Sequence, residues 1–211
     1  MDILEEIASE VVKGDSDSVE RLTTKALSQG VSAEEVLNKG LVEGMDVVSK
    51  RFKNNECFIP EVLISAKAMK SGMETLKPLL AKANVKPQGK VIIGTVKGDL
   101  HDIGKNIVSM LLQGAGFDVV DLGADVGKEK FLEYAKKENP DILGMSALLT
   151  TTMIYMKEVL ETIRNASLEK EIKIIIGGAP LTQSYADAIK ADGYAPDAAS
   201  AVDLSKSLLN K

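Results

Sequence analysis

The chain has 211 residues, of which 45% are hydrophobic and only 4% aromatic, a composition typical of one large or two small domains with aliphatic cores. The formal net charge of −5 argues against a nucleic-acid-binding surface, and the single cysteine, Cys57, excludes an internal disulfide and a multi-cysteine metal site. Because no apolar run approaches the roughly 20 residues that span a bilayer and the N-terminus lacks a signal-peptide pattern, we expect a cytoplasmic protein that binds neither nucleic acid nor membrane.

Apolar residues recur at spacings of three and four from residue 1 to about residue 80, which is the periodicity of amphipathic helices. Asp17 or Ser18 is expected to cap the second helix. Ser32 followed by Glu35 predicts a capping box at the start of the third. Four helices with short connections predict a small antiparallel bundle.

The helical pattern lapses at Lys77-Pro78, and a stretch containing proline and glycine follows. Pro87 would partly stiffen this stretch, which indicates a linker. The predicted division is a helical domain at 1–80, a linker at 81–89 and an α/β domain at 90–211.

From Lys90 onward, five apolar runs alternate with helical patterns. The predicted strands are residues 91–96, 117–122, 142–146, 172–176 and 193–194. Five βα units imply a parallel sheet with right-handed crossovers and helices on both faces. The predicted strand order is 2-1-3-4-5, as in flavodoxin-like folds, with the switch point between the first and third strands.

Three loops then meet at the carboxyl ends of the strands, where ligands bind in open α/β sheets. The loop at 98–104 holds His101, the only histidine of the chain, two residues after Asp99. The loop at 146–152 is rich in hydroxyl groups. The glycines in the loop at 177–180 would let a ligand approach the backbone, because they have no Cβ. The candidate site therefore combines one imidazole, one carboxylate, several hydroxyl groups and a stretch of glycine backbone that a ligand can approach closely.

Common ligand motifs fit this site poorly. The stretch from Gly98 to Asn106 is one residue too long for a P-loop and ends in asparagine instead of serine or threonine. Gly114-Ala115-Gly116 follows a helix and lacks the third glycine of a dinucleotide fingerprint. A zinc enzyme would need more histidine, cysteine or carboxylate ligands. An FMN flavodoxin would usually need a phosphate-binding loop and aromatic stacking.

Three short motifs in these loops resemble the three-part signature of cobalamin-binding domains: Asp99-x-His101-x-x-Gly104, Ser146-x-Leu148 and Gly177-Gly178. The helical module, with Phe52 and the stretch at 56–63, is similar to the cap of the methylcobalamin-binding type. That type occurs in cobalamin-dependent methionine synthase and in corrinoid proteins of methanogen and acetogen methyltransferase systems. A chain of this length without a catalytic barrel is most similar to the stand-alone corrinoid proteins.

In this family the nucleotide tail of the corrinoid leaves cobalt and enters the sheet crevice, and a histidine replaces it ("base-off, His-on"). The resemblance implies that His101 binds cobalt through a neutral ring nitrogen and that Asp99 accepts the other ring N–H. Thr152 stands where the family often has a serine that completes this relay. Ser146 and Thr150 match the family's contacts to the tail.

Phe52 and Ile59 match cap residues that lie over the upper face of the corrin, although both positions also fit a plain helical core. No residue is expected to be catalytic, and His101 is the only expected metal ligand. The remaining residues of the expected cofactor site are Gly98, Leu100, Asp102, Ile103, Gly104, Leu148, Gly177, Gly178, Ala179, Tyr194 and Ala198.

The resemblance implies a methyl-carrier subunit without a complete active site of its own. It would carry a methyl group on the cobalt of cobalamin, or of a related corrinoid, from a substrate-specific methyltransferase to a second methyltransferase. The acceptor would be tetrahydrofolate or coenzyme M, and an ATP-dependent reductive activase is a further expected partner.

Two other cobalamin functions stay open. The chain could be the cobalamin-binding subunit of an adenosylcobalamin-dependent mutase, although such subunits usually lack a four-helix cap. It could be a cobalamin-dependent sensor, although the known sort has a tryptophan-containing motif and a second histidine, and this chain has neither. A flavodoxin-like signalling module without a cofactor would leave the three loops unexplained.

Overall fold

The computed structural model describes residues 2–83, 85–168 and 171–209. The chain divides into two compact units, Met1–Pro87 with Gln113–Gly116 and Gln88–Leu112 with Phe117–Lys211. Within the described residues, no helix combines the length and the apolar character needed to cross a membrane.

The first unit is built from helices, as the sequence predicts. They are α1 (Ile3–Lys13), α2 (Ser16–Ser28), α3 (Ala33–Glu35), a π-helix (Val36–Val42), α4 (Glu43–Lys53) and α5 (Ile59–Lys82). The third predicted helix is therefore a continuous stretch with a π-helical centre. At this centre Gly40 lies against α1, where a Cβ would stand 2.9 Å from Ile7 Cγ2. The buried core includes Ile7, Val11, Val19, Val36, Leu41, Met45, Val62, Met69 and Leu76.

Two of these helix starts test the predicted caps. The Ser32 hydroxyl accepts a hydrogen bond from the Glu35 N–H at 3.2 Å, which confirms the Ser32 half of the predicted capping box, and the Glu35 side chain accepts from the Ser32 hydroxyl at 3.0 Å. The predicted cap of α2 is wrong, because Asp15 Oδ1 accepts from the Ser18 N–H at 3.0 Å. The capping residue is the one directly before the first helical residue, and α2 begins at Ser16, one residue before Asp17.

The end of α5 also differs from the sequence prediction. The helix continues through Pro78 to Lys82, although proline removes one backbone hydrogen bond. Leu76 and Leu80 are both buried, so packing of the apolar stripe outweighs that loss. Two residues of the predicted linker at 81–89 are therefore helical, residues 85–89 belong to no helix or strand, and Asn84 lies outside the described residues.

The second unit alternates strands and helices. They are β1 (Lys90–Thr95), α6 (Ile103–Gly114), β2 (Asp118–Asp121), α7 (Lys128–Glu138), β3 (Ile142–Ser146), α8 (Ile154–Asn165), β4 (Lys173–Gly177), α9 (Gln183–Ile189), β5 (Gly193–Ala195) and α10 (Ala198–Leu208). The five strands are parallel in the order β2-β1-β3-β4-β5, which confirms the predicted fold class and strand order.

Residues of neighbouring strands stand in register across the sheet, and successive rows point to opposite faces. The row of Ile92, Leu143 and Ile174 faces a core closed by side chains of α7, α8 and α9. The next row, Ile93 with Gly144 and Ile175, faces the other side. This alternation decides which strand residues can line the site.

Candidate functional site

The loop after β1 places Asp99 at the centre of a hydrogen-bond network, and this residue is fully buried. Asp99 Oδ1 accepts from the His101 backbone N–H at 3.1 Å and from His101 Nδ1 at 2.8 Å. Oδ2 accepts from the N–H groups of Leu148 and Leu149 at 2.8 and 3.1 Å, and from the Thr152 hydroxyl at 2.8 Å. One carboxylate therefore ties the loop after β1 to the loop after β3.

These donors also fix the charge of Asp99. Burial alone would raise its pKa, but the hydrogen bonds from Leu148, His101 and Thr152 together outweigh burial and hold the pKa of Asp99 well below its usual value. Asp99 is therefore ionised and can only accept hydrogen bonds.

The charge of Asp99 determines the tautomer of His101. Because the carboxylate is only an acceptor, Nδ1 must carry the ring proton, and Nε2 of a neutral ring keeps its lone pair. Among the described residues, Nε2 has no hydrogen-bond partner. The His101 side chain is 51% exposed, so this lone pair is available to a ligand.

Thr152 has one hydroxyl proton and two acceptors within reach. Its Oγ1 lies 2.8 Å from Asp99 Oδ2 and 2.8 Å from the Leu149 carbonyl oxygen. The ionised carboxylate is the stronger acceptor, so the hydroxyl donates to Asp99. Its methyl group lies beside Gly98, where a Cβ would stand 3.6 Å from Thr152 Cγ2.

A cavity of about 500 Å³ opens in the second unit beside His101. Its floor is the sheet row of Ile93, Gly144 and Ile175, and side chains of α6 and α10 form its walls. The rest of the lining is Leu100, His101, Asp102, Ile103, Gly104, Lys105, Val108, Met145, Ser146, Ala147, Leu148, Ile176, Gly177, Gly178, Ala179, Ala195, Pro196, Asp197, Ala198 and Ala201.

Apolar side chains of this lining are exposed next to His101. Leu100 is 76% exposed, Ile103 is 71% exposed and Leu148 is 43% exposed. A flat apolar ligand that contacts the imidazole would remove this surface from water, which is favourable at about 25 cal/mol per Å².

Two family models match the chain along most of its length. Both are described as a B12 binding domain, one over residues 89–203 and the other over residues 3–77. The chain belongs to the B12-binding corrinoid proteins. The cofactor of this corrinoid protein is therefore a cobalamin-type corrinoid.

Relatives of this corrinoid protein are similar over their whole length. A corrinoid protein of Desulfitobacterium hafniense is 42% identical, with 100% of this chain and 99% of the relative covered. Dimethylamine corrinoid protein 1 of Methanosarcina acetivorans is also 42% identical, with coverage of 99% and 98%. In the solved methanol:cobalamin methyltransferase complex MtaBC of Methanosarcina barkeri, a chain that is 33% identical matches with a TM-score of 0.89, over 99% of this chain and 80% of that chain.

Most of the site residues predicted from the sequence come together at the cavity of this corrinoid protein. Its lining includes residues of the loop after β1, Ser146 and Leu148 at the end of β3, Gly177 and Gly178 at the end of β4, and Ala198. Asp99 and Thr152 lie behind His101 in the hydrogen-bond network. Whether these residues bind the corrinoid stays a prediction.

Other predicted residues lie apart from the cavity lining. Gly98 has a φ of +76° and donates its N–H to Asp125 Oδ1 at 2.7 Å, so it shapes the turn. Thr150 is exposed and outside the lining. Tyr194 packs against the core on the opposite face of the sheet, because it alternates with Ala195, which does line the cavity. Phe52 and Ile59 belong to the first unit, where Phe52 is half-buried and Ile59 is 39% exposed.

Sequence reasoning missed Lys105, whose side chain is only 1% exposed although it lines the cavity. Its ammonium contacts Asp121 Oδ2 and lies 2.7 Å from Asn106 Oδ1. Asp121 is the last residue of β2. Its pairing with Lys105 can therefore be inferred only when β2 is known to lie beside β1. The missed floor residues, such as Gly144, lay inside a continuous apolar run that gave no signal of which face they occupy.

Proposed function

We propose that this corrinoid protein carries a methyl group on its cobalamin between two partner methyltransferases. One would be specific for the methyl donor, and the other would deliver the group to an acceptor such as tetrahydrofolate or coenzyme M. An ATP-dependent reductive activase is the third proposed partner. Relatives named dimethylamine and trimethylamine corrinoid proteins support this role and suggest a methylated amine as the donor. The single observation that carries the proposal is His101, held by Asp99 at Nδ1 and free at Nε2.

The residues present fit a corrinoid bound through histidine. His101 would supply one imidazole nitrogen to cobalt, and the corrin ring itself would supply the ring nitrogens that surround the metal. Leu100, Ile103 and Leu148 provide exposed apolar surface beside His101. Gly104 lines the cavity, and a Cβ there would meet no protein atom within 4 Å. The space beside Gly104 is therefore open to a ligand in the cavity.

The cavity supports the base-off arrangement. Its volume of about 500 Å³ falls within the range of small-molecule sites. It opens beside His101, so a nucleotide tail that has left cobalt could occupy it while His101 takes its place. Ser146 lies at the cavity, and its hydroxyl has no hydrogen-bond partner among the described residues, so it is available to the tail.

When bound, the cofactor supplies a cobalt centre that accepts and releases a methyl group. The part of the protein would be to hold and orient the imidazole of His101. Asp99 keeps the proton on Nδ1, so Nε2 of the neutral ring would present its lone pair to the metal. Leu148, Leu149 and Thr152 hold Asp99 in place and so fix the orientation of the imidazole. Phe52 and Ile59 are proposed to shield the other face of the corrin from water.

A labelled-methyl assay tests the proposed function. The full chain is loaded with cobalamin, chemically reduced, and mixed with a dimethylamine-specific methyltransferase and dimethylamine that carries a labelled methyl group. We expect the label to co-elute with the loaded protein, and to leave it when an acceptor methyltransferase is added. The assay is repeated with labelled monomethylamine, trimethylamine and methanol, each with its own methyltransferase. The pair that labels the protein identifies the donor. If no donor and methyltransferase pair labels the protein, the carrier role is wrong.

Two glycines of the site should respond differently to alanine. Gly178 has a φ of +136°, and its Cβ would lie 1.9 Å from the Ala147 carbonyl oxygen, so Gly178→Ala should lower the free energy of unfolding by about 3 kcal/mol. Gly104→Ala should leave the stability of the apo-protein within about 1 kcal/mol. The added methyl group at Gly104 should weaken cobalamin binding about tenfold, because it occupies space needed by the ligand.

Urea unfolding of the apo-proteins and a spectral titration with cobalamin measure both effects. Each variant is the control for the other. Gly178→Ala should change the stability of the fold, whereas Gly104→Ala should change only the cofactor affinity. Unchanged cobalamin affinity of Gly104→Ala would contradict the assignment of this space to the cofactor.

A further inference from the structure

The loop between β2 and α7 lies against the loop that carries His101, and Asp125 makes two of the hydrogen bonds between them. Asp125 Oδ1 accepts from the Gly98 N–H at 2.7 Å. The Asp125 N–H donates to the Asp99 carbonyl oxygen at 3.0 Å. One residue of the neighbouring loop therefore holds the main chain of two successive residues, and the second of these carries the carboxylate that orients the imidazole.

The backbone of Asp125 is in the left-handed region, with a φ of +53°. Non-glycine residues rarely adopt this conformation, although aspartate and asparagine tolerate it best. Among the described residues, the other non-glycine residues with positive φ all lie within two positions after the end of a helix, where a left-handed residue commonly closes the helix. Asp125 instead follows a strand. Its conformation directs the N–H and the carboxylate to the same neighbouring loop.

Asp99 is thereby held from two sides. Its carboxylate accepts from two backbone N–H groups of the loop after β3, and its main chain is bound by Asp125 of the loop after β2. His101 has an anchor of its own, because the Thr95 hydroxyl donates to its carbonyl oxygen at 3.1 Å. Since the aspartate side chain is short, a shift of the Asp99 main chain would move its carboxylate relative to His101 Nδ1, which lies 2.8 Å away.

We propose that Asp125 is a positioning residue for the axial histidine. By fixing the main chain at Gly98 and Asp99, it keeps the Asp99 carboxylate where it directs the His101 ring towards cobalt. Asp125 is not part of the cavity lining, so it acts through Asp99 and not on the corrinoid itself. This inference rests on the proposed function, because it takes His101 to be the cobalt ligand.

Two substitutions separate the hydrogen bond of the Asp125 side chain from its charge. Asp125→Gly removes the acceptor of the Gly98 N–H, while glycine adopts a φ of +53° without strain. Asp125→Asn keeps an acceptor oxygen and tolerates the left-handed conformation, but it carries no charge. We expect Asp125→Gly to lower the cobalamin affinity of the full-length apo-protein about tenfold, the lower end of the range for residues that support a metal ligand. Asp125→Asn should stay within about threefold of the wild type.

A double-mutant cycle shows whether Asp125 acts through the imidazole. The loss of affinity caused by Asp125→Gly is measured by spectral titration with cobalamin in the wild-type protein and again in His101→Ala. A residue that only stabilises the fold or the cavity would cost the same in both backgrounds. We expect a loss of about tenfold with His101 present and of less than about twofold without it.

Asn139→Gly is the matched control. Asn139 is also exposed and left-handed, with a φ of +45°, and it lies outside the cavity lining. This variant should bind cobalamin as its parent does in both backgrounds. Thermal melting of the apo-proteins should give midpoints within a few degrees of each other. If Asp125→Gly does not fold, Asp125→Ala removes the same acceptor and takes its place in the cycle.

The outcomes separate this inference from the function on which it rests. Wild-type cobalamin affinity of His101→Ala would overturn the axial ligand and this inference with it. Weak binding by His101→Ala, with Asp125→Gly unchanged or equally weakened in both backgrounds, would overturn the role of Asp125 alone. A loss in Asp125→Asn as large as that in Asp125→Gly would overturn the hydrogen bond to Gly98 as the basis of that role.

Discussion

Replacing His101 by alanine should give a protein that folds normally but holds cobalamin without its lower axial ligand. The His101 side chain is 51% exposed, so its removal leaves no buried cavity. The cofactor would lose the proposed bond to Nε2, whereas the apolar side chains of the cavity would remain. Since loss of a residue that only supports a metal ligand costs 10–100-fold in affinity, loss of the ligand itself should cost about 100-fold or more.

Absorption spectra of the loaded variant measure this loss. The bands of the bound corrinoid should move to those of cobinamide in water, and added free imidazole should move them back by filling the vacated position. Thermal melting of the apo-protein serves as the control, with a midpoint that changes by only a few degrees. Wild-type bands in His101→Ala would show that another group binds cobalt, and the proposed axial ligand would be wrong.

The sequence was sufficient to predict the sheet, because its strands are separated by strong turn and helix signals. Each observed strand begins and ends within one residue of its prediction, and the order β2-β1-β3-β4-β5 is as expected. The helical unit was harder. The missing N–H of Pro78 predicts that the helix ends there. In the structure α5 continues to Lys82, because Leu76 and Leu80 on either side of Pro78 are buried. Such packing between distant segments has no local signal.

Contacts of the site between residues close in the chain could be predicted. Contacts between residues distant in the chain could not, because they depend on the fold. Asp99 and His101 are two positions apart, so their pairing could be inferred directly. The backbone donors of Leu148 and Leu149 to Asp99 depend on β1 and β3 lying side by side. The family resemblance places Tyr194 in the site, but strand alternation turns its side chain to the opposite face of the sheet.

Asp99→Asn should have the second large effect, and it should act on both stability and cofactor binding. Each oxygen of Asp99 accepts at least one backbone N–H, from His101 on one side and from Leu148 and Leu149 on the other. The amide nitrogen of asparagine can only donate, so it must face one of these N–H groups whichever way the side chain turns. With this residue fully buried, the free energy of unfolding should fall by about 2–4 kcal/mol. One neutral amide oxygen also holds the His101 ring less firmly than a carboxylate does, and cobalamin affinity should fall about 10–100-fold.

Three further variants separate the role of the Asp99 network from a general effect of removing a charge. Asp187→Asn, at an exposed position of α9, keeps its hydrogen bond with Gln183 and should change stability by less than about 0.5 kcal/mol. Thr152→Val removes one donor to Asp99 and should cost about 1 kcal/mol, whereas Thr152→Ser keeps the hydroxyl and should cost less. Urea unfolding and cobalamin titration of the four proteins give both quantities. Asp99→Asn could instead be as stable as Asp187→Asn and bind cobalamin like the wild type. That result would show that a neutral amide oxygen is enough to orient the His101 ring. The charge of Asp99 would then have no part in holding the imidazole.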